Sequence, residues 1–351
     1  MEIFSDTEIK WINFNAADEL SFLTFHSDKK MILTVTLNPL LEHRLTYKAF
    51  KVGTEHRFPK EEYKAGGKGI NVSRQLNILS VNNLAFTFLG GNKGKMLKKL
   101  FMEEGINFTY ISTHSECREC AVIIDETART VTSCFGSNPT IFSNEADEFK
   151  LKLEKMIQNC DIVVFSGSSP CKETDQIFPF GIETANKFDK ISICDTYGSH
   201  LRQCIESSPT IIHNNFKEIQ ESLKISLSSE NEIIDTLNFL YSKNIKQAFL
   251  TDGTNPTYAS NHDFHFKVTN PKVDTIDSTG SGDSFTAGIA YGWHHNLPFE
   301  ETLILASALG AVNASRYDVC NVSINEANKL QGQFIVENLG KKMRLINVDA
   351  T

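Results

Sequence analysis

Asp283 follows the small-residue run Gly280-Ser281-Gly282 in DSTGSGD, and the apolar-spaced segment SFTAGIAYGW begins immediately after it. Glycines let successive backbone N–H groups point into one cavity. Where a helix begins, its dipole adds to their pull on an anion, so a phosphate suits such a loop. A carboxylate about one residue into that helix can reach a hydroxyl beside the phosphate and take its proton as the oxygen attacks phosphorus. Taken alone, the pattern suits a helix-capping acid equally well. A second cluster, AGGKGINVSR (Ala65 to Arg74), again sets glycines ahead of a helix, with Lys68 among them and Asn71 close behind. Its backbone can press against a small polar molecule, with one ammonium to hand.

Neither cluster fits the common nucleotide loops. GGKGIN lacks the GxGxxG spacing and follows no clear strand, and around GGNKGKM the residues Leu89 and Met96 occupy positions that GxxxxGK[ST] gives to glycine and a hydroxyl. The one CxxC, Cys117 to Cys120, has no second pair at zinc-finger spacing and reads as incidental. His294-His295 reads as the polar end of a helix, where its dipole favours a cation. A formal charge of −8 excludes the basic face of a nucleic-acid binder but leaves room for a local cationic pocket. No apolar run reaches membrane-span length. No secretory signal is legible in residues 1–30, and the eight cysteines are scattered, so the expected location is cytoplasmic.

Residues like these need a scaffold that brings distant loops together. Short apolar runs at 31–37, 84–89, 161–167, 190–195, 209–213 and 246–253 read as buried strands. Helical patterns lie between or after them at 70–79, 95–104, 145–157, 231–243, 281–294 and 300–314. This alternation predicts an α/β fold with a mostly parallel sheet covered on both faces, binding its ligand beyond the strands' carboxyl ends. Segments 40–65 and 108–136 alternate polar and apolar residues without helices, which predicts a small antiparallel β lid over the site. Residues 1–30 read as an appendage, 31–330 as the working domain and 331–351 as a tail.

The two glycine clusters, in this order and about two hundred residues apart, resemble those of the ribokinase-like (PfkB) carbohydrate kinases. TLNP (Thr36 to Pro39), SGSSP (Ser166 to Pro170) and the Asn215/Glu218 pair in HNNFKEI match further family motifs. The branch most resembled is that of 1-phosphofructokinase and tagatose-6-phosphate kinase. The resemblance implies the three-layer α/β/α ribokinase-like fold and an enzyme that uses ATP and Mg²⁺. It makes Asp283 the catalytic base and the backbone of Gly280, Ser281 and Gly282 the anion hole. Glu42, Gly66, Gly67 and Asn71 would meet the sugar, with Lys68, Arg118 and Ser168 at the phosphate it already carries. Asn215 and Glu218 would organise Mg²⁺ through its waters beside the nucleotide, and Thr251, Gly253 and Asn313 would contact that nucleotide. It also implies a homodimer through the lid strands.

Several positions depart from the family pattern. Glu42 stands where an Asp is usual, His213-Asn214-Asn215 replaces Lys-Pro-Asn, Pro256 replaces a glycine of the nucleotide loop, and Cys320 replaces a glycine near the adenine region. The expectation is a kinase acting on a hydroxyl of fructose 1-phosphate, tagatose 6-phosphate or a similar sugar phosphate. DSTGSGD also sits close to the DTTGAGD of ribokinase and adenosine kinase, which keeps an unphosphorylated sugar or nucleoside as the alternative acceptor. A non-catalytic protein that senses a sugar phosphate is the third reading.

Overall fold

The computed structural model describes residues 31–341. The elements run β1 (Ile32–Thr36), β2 (Leu40–Tyr47), β3 (Lys60–Gly66), α1 (Lys68–Ile78), β4 (Asn83–Gly90), α2 (Gly91–Glu103), β5 (Phe108–Thr113), β6 (Arg118–Asp125), β7 (Thr130–Phe135) and α3 (Ser143–Gln158). There follow β8 (Ile162–Ser166), α4 (Ile177–Lys187), β9 (Ile191–Asp195), α5 (Leu201–Glu206), β10 (Ile211–Asn215), α6 (Phe216–Leu223), α7 (Glu230–Ser242) and β11 (Gln247–Thr251). The chain closes with β12 (Thr257–Asn261), β13 (Phe264–Thr269), α8 (Ser281–His294), α9 (Phe299–Ala314), α10 (Ile324–Gln331) and β14 (Ile335–Gly340).

Ten strands form one sheet in the order β14-β13-β12-β11-β10-β9-β8-β1-β4-β5. From β5 to β11 every pairing is parallel, and β12, β13 and β14 add an antiparallel edge. β1 and β8 are buried at every residue, as strands covered on both faces must be. Phe149, Phe178, Leu201, Ile219 and Leu237 bring α3 to α7 onto one face. Leu76, Phe285, Leu305 and Ala327 bring α1, α8, α9 and α10 onto the other, giving the three expected layers. α8 packs so closely on α9 that a Cβ at Gly288 would lie 2.6 Å from the Ala306 Cα. The polar N-terminus of α8 is thereby fixed against the sheet.

The lid is a four-stranded sheet in the order β3-β2-β6-β7, with antiparallel outer pairs and a parallel junction between β2 and β6. Its own small core is Leu40, Cys120, Val122 and Ile124. The expected lid segment 108–136 is too wide: β5 pairs with β4 in the main sheet, and its alternation is that of a sheet-edge strand. The main sheet also runs past the boundary expected at 330, because β14 pairs with β13. The appendage expected at 1–30 lies outside the described residues. Cys117 packs with α2, whereas Cys120 sits in the lid core, so the two thiols of the CxxC serve different clusters.

β1 lies between β4 and β8, where the strand order switches direction, and the loops beyond its carboxyl end meet those of β8, β9 and β10. Such a switch point leaves a crevice that ligands can occupy.

Candidate active site

α8 begins at Ser281 with Gly280 as its cap, so Asp283 is the third helical residue rather than the first or second. Gly280 has φ +76°, and a Cβ there would meet Val319 Cγ1 at 2.3 Å; only glycine fits on both counts. Asp277 Oδ1 accepts from the Thr279 N–H at 2.9 Å and tightens the approach to the helix. Of the expected anion-hole donors, the Ser281 N–H is already engaged by Ser278 O at 3.1 Å.

Asn71 comes from the first turn of α1 and donates through Nδ2 to Asp283 Oδ2 at 2.7 Å. Asp283 is 5% exposed. Burial pushes its carboxyl up to about 7, with Asp195 and Glu218 adding to the rise while Lys68 and the Asn71 bond oppose it. A group titrating there is suited to proton transfer near neutral pH.

Lys68 does not stand alone as the sequence suggested. Its Nζ bonds Glu218 Oε1 at 2.7 Å and Asp195 Oδ1 at 3.1 Å. Burial alone would favour the neutral amine, but Asp195, Glu218 and Asp283 outweigh it and hold the ammonium charged. Asp195 is fully buried at the end of β9. Burial works against its charge as well, and Lys68 and His213 overcome that to hold it below the usual carboxylate range. Asn215 and Glu218 form a reciprocal cap on α6: Asn215 Oδ1 accepts from the Glu218 N–H at 2.8 Å, and Glu218 Oε2 from the Asn215 N–H at 3.4 Å. The NxxE spacing is therefore that of a capping box as well as of a binding motif.

Two cavities meet at this cluster. The first, about 280 Å³, lies under the lid; among its lining residues are Glu42, Gly67, Lys68, Asn71, Arg118, Ser168 and Asp283. The second, about 380 Å³, lies over β10, β11 and the start of α8; Thr251, Gly253, Phe216 and Phe285 contribute to its wall. Lys68, Asn215, Glu218, Ser278 and Gly282 line both. At one end of the lid cavity, Asn38 Nδ2 donates to Asn138 Oδ1 at 3.0 Å and to Ser168 Oγ at 3.3 Å, and Arg118 Nη1 reaches Asn138 Oδ1 at 3.2 Å. Three polar atoms on this cavity's walls, Asn38 Oδ1, Arg118 Nε and Asp277 Oδ2, are buried without a hydrogen-bond partner in the protein. Such atoms are costly unless a ligand or water satisfies them.

The model of pfkB family carbohydrate kinases matches residues 41–327. The chain belongs to that family. Among curated relatives, the tagatose-6-phosphate kinase of Staphylococcus epidermidis is 28% identical over 309 residues, covering 87% of this chain and 99% of that protein. The fold is shared with a Thermotoga maritima protein described as a possible 1-phosphofructokinase, with TM-score 0.82, 24% identity and coverage of 88% of this chain and 99% of that one. Phosphofructokinase-2 from Escherichia coli, solved with fructose-6-phosphate, superposes with TM-score 0.77 at 20% identity, covering 87% and 99% of the two chains.

In this pfkB chain one expected contact, Asn313, lies elsewhere. Asn313 is buried and its Nδ2 donates to Thr279 O at 2.8 Å, while its Oδ1 accepts from the Cys320 N–H at 2.7 Å, so it braces the Gly280 loop from behind. Cys320 also lies behind that loop, with Sγ 3.3 Å from Gly280 O, not against the second cavity. Gly66 makes room for Glu42: a Cβ there would come within 2.8 Å of Glu42 Oε1. Burial raises the Glu42 carboxyl, against the pull of Arg44 and Arg74. Sequence reasoning missed Asp195, Asn138, Asp277 and Arg44. Asp277 opens the DSTGSGD motif and could have been found from it; the other three stand in no motif.

Proposed function

We propose that this pfkB carbohydrate kinase transfers the terminal phosphoryl group of ATP to a hydroxyl of a phosphorylated ketohexose, of the fructose 1-phosphate or tagatose 6-phosphate kind. The observation that carries the reading is the position of Asp283 on the wall of the charged lid cavity, directly after Gly282, which also lines the helix-fronted second cavity. The relatedness to a tagatose-6-phosphate kinase supports the phosphorylated acceptor.

In this reading the lid cavity takes the acceptor. Arg118, Ser168 and Asn38 hold its phosphate, and Glu42, Gly67 and Asn71 face its hydroxyls. The second cavity takes the nucleotide, with Thr251 and Gly253 on its wall. Asp283 removes the acceptor's proton as that oxygen bonds to the terminal phosphorus. The bond from phosphorus to the bridging oxygen breaks, and ADP leaves with the electron pair. Gly280, Gly282 and the first turn of α8 stabilise the charge on the transferring group. Lys68 faces both cavities and neutralises charge between them.

Asn215 and Glu218 fit Mg²⁺ as holders of its waters. Both are oxygen donors at the cavity edge, yet each is partly engaged in the α6 cap, and Glu218 Oε1 also accepts from Lys68. Among the described residues no group of three or more His, Cys, Asp or Glu could hold a metal directly. Magnesium retains much of its water and can take further oxygens from phosphates, so this modest pair suffices. When bound, the ion would neutralise phosphate charge.

No helix among the described residues is long and apolar enough to cross a membrane. A second copy is the fitting cover for the lid, where Val52, Phe58 and Phe135 are exposed.

The test is ADP release with ATP and Mg²⁺ across free and phosphorylated ketohexoses and nucleosides. A phosphorylated ketohexose should have the highest kcat/KM; a preference for a free sugar or nucleoside would overturn the acceptor assignment. Stabilisation by a sugar phosphate without any ADP release would identify a sensor instead.

A further inference from the structure

Asp283 has two carboxylate oxygens, and the Asn71 amide binds only one of them. That amide has two faces, a donor NH₂ and an acceptor C=O. If it turned over, its carbonyl would oppose the carboxylate, favour the protonated acid and free the carboxyl to rotate. Something must fix the amide, and Arg74, one turn along α1, is placed to do so. Arg74 Nη1 donates to Asn71 Oδ1 at 2.6 Å, which leaves Asn71 Nδ2 directed at Asp283.

The guanidinium is itself fixed from two further sides. Its Nε donates to Glu104 Oε2, just beyond the end of α2, at 2.7 Å, and its Nη2 to Ala65 O, at the end of lid strand β3, at 2.5 Å. Arg74 is not on the wall of the acceptor cavity. It faces a separate opening of about 340 Å³ behind that wall, lined by Tyr63, Lys64, Glu103 and Asp318 among others.

We propose that Arg74 is a positioning residue for phosphoryl transfer: it locks the Asn71 amide so that one Asp283 oxygen is held and the other is left for the acceptor hydroxyl. The proposal rests on Asp283 being the base. The fork geometry of a guanidinium is what the site uses, because one planar group meets three acceptors in different directions.

The charged groups around Asp283 are Lys68 from α1, Asp195 from β9 and Glu218 from α6, and the buried Cys320 thiol, whose ionisation burial and Asp283 oppose, also faces it. Those around Arg74 are Glu104, Glu42 from β2 and Asp318. Arg74→Met leaves the first set in place but also removes a nearby cation, so the Asn71 link is read from the part of the Asp283 titration change that disappears in the Asn71→Leu background.

The experiment measures kcat and both KM values against pH for wild type, Arg74→Met, Arg74→Lys, Asn71→Leu and the Arg74→Met/Asn71→Leu double variant, with Asp283→Asn as control. With the wild-type carboxyl at about 7, Arg74→Met should move the acidic limb of kcat up by about one pH unit and lower kcat at pH 7 about five-fold. The nucleotide KM should stay unchanged, and Arg74→Lys should fall between the two. The double variant should be no slower than Asn71→Leu alone. A fall in kcat with an unmoved limb, or additive losses in the double variant, would reduce Arg74 to a structural tie. Where Arg74→Met does not fold, Arg74→Lys decides: a wild-type limb and rate overturn the proposal. A fast Asp283→Asn enzyme would overturn the base reading itself; a dead one beside unmoved Arg74 limbs overturns only the proposal.

Discussion

The two cavities that meet at Gly282 are built on opposite principles. The lid cavity carries Glu42, Asp277 and Asp283 opposite Arg44, Arg118 and Lys68. The second cavity has a long apolar stretch of wall, Phe216, Pro271, Val273, Phe285, Ala311 and Ala314, and its charges are Lys217 and Asp252 besides the Lys68 and Glu218 that it shares with the first. A small polar acceptor offers little area to bury, so its recognition must come from buried charges, each costly to leave unpaired. A nucleotide brings a base with apolar faces and a chain of phosphates, which a smooth wall and a helix N-terminus can hold. Substitutions on the lid side should therefore be far more damaging than those on the other, and the expected effects below fall in that order.

The largest effect belongs to Asp283→Asn. It should lower kcat by about 10²- to 10⁴-fold while leaving both KM values nearly unchanged. Stability should move the other way. The Asp283 carboxyl rises on folding from 3.8 to about 7, so the folded chain keeps a proton that the unfolded chain gives up in between. Stability held below the lower value is lost as pH rises through the higher one. The asparagine never ionises. Asp283→Asn should thus be more stable than wild type at pH 8, by on the order of 1–3 kcal/mol, and show no such gain at pH 4. Melting curves at the two pH values check the sign, and a gain only at pH 4 would refute it.

Lys68→Met should cost stability. It leaves the fully buried Asp195 without its ammonium, and breaking a buried pair from one side costs about 3–5 kcal/mol. Urea unfolding measures this. An unchanged midpoint would mean that Ser166, His213 and Thr286 hold Asp195 without the ammonium, making the lid side less dependent on paired charge than argued above.

Arg118→Ala acts on one ligand only. Losing a charged hydrogen bond should raise KM for a phosphorylated acceptor about ten- to hundredfold, with KM for the matching free sugar unmoved. Equal rises for both would detach Arg118 from the phosphate.

The contrast between the cavities also shows what the sequence could disclose. The start of α8 was legible because Gly-Ser-Gly-Asp runs straight into an apolar helix, and α1 because GGKGIN does the same. Asp195 was not. It closes a strand, KISICD, as many acids do, and it becomes functional only when Lys68 and Thr286 converge on it from 127 and 91 residues away in sequence. α4 was hidden by Pro179 and Gly181, which punctuate IFPFGIETANK like a loop. The proline falls at the third helical position, in the first turn, where its missing N–H is tolerated. The glycine is required by packing, since a Cβ would lie 2.4 Å from the Phe165 ring. The second of these is a tertiary reason, invisible to local pattern. His213 reads from sequence as a lost lysine, yet the fold gives it a defined role between the two cavities.

That role yields the smallest expected effect. Thr286 Oγ1 donates to Asp195 Oδ2 at 3.2 Å, so its oxygen is left to accept from His213 Nδ1 at 3.0 Å. The ring proton therefore sits on Nδ1, which also lies 3.6 Å from Asp195 Oδ1. Nε2 lies 3.2 Å from the Thr251 hydroxyl, and in a neutral ring it accepts from that hydroxyl. This bond joins the wall of the second cavity to the charged cluster around Asp195. Thr251→Val keeps the shape and removes only that bond, at a cost of about 0.5–1.5 kcal/mol. The nucleotide KM should rise by about two- to ten-fold, with the acceptor KM and kcat unchanged. A fall in kcat as deep as that of a lid-side substitution would show that the smooth wall takes part in the chemistry, and the division between the two cavities would have to be redrawn.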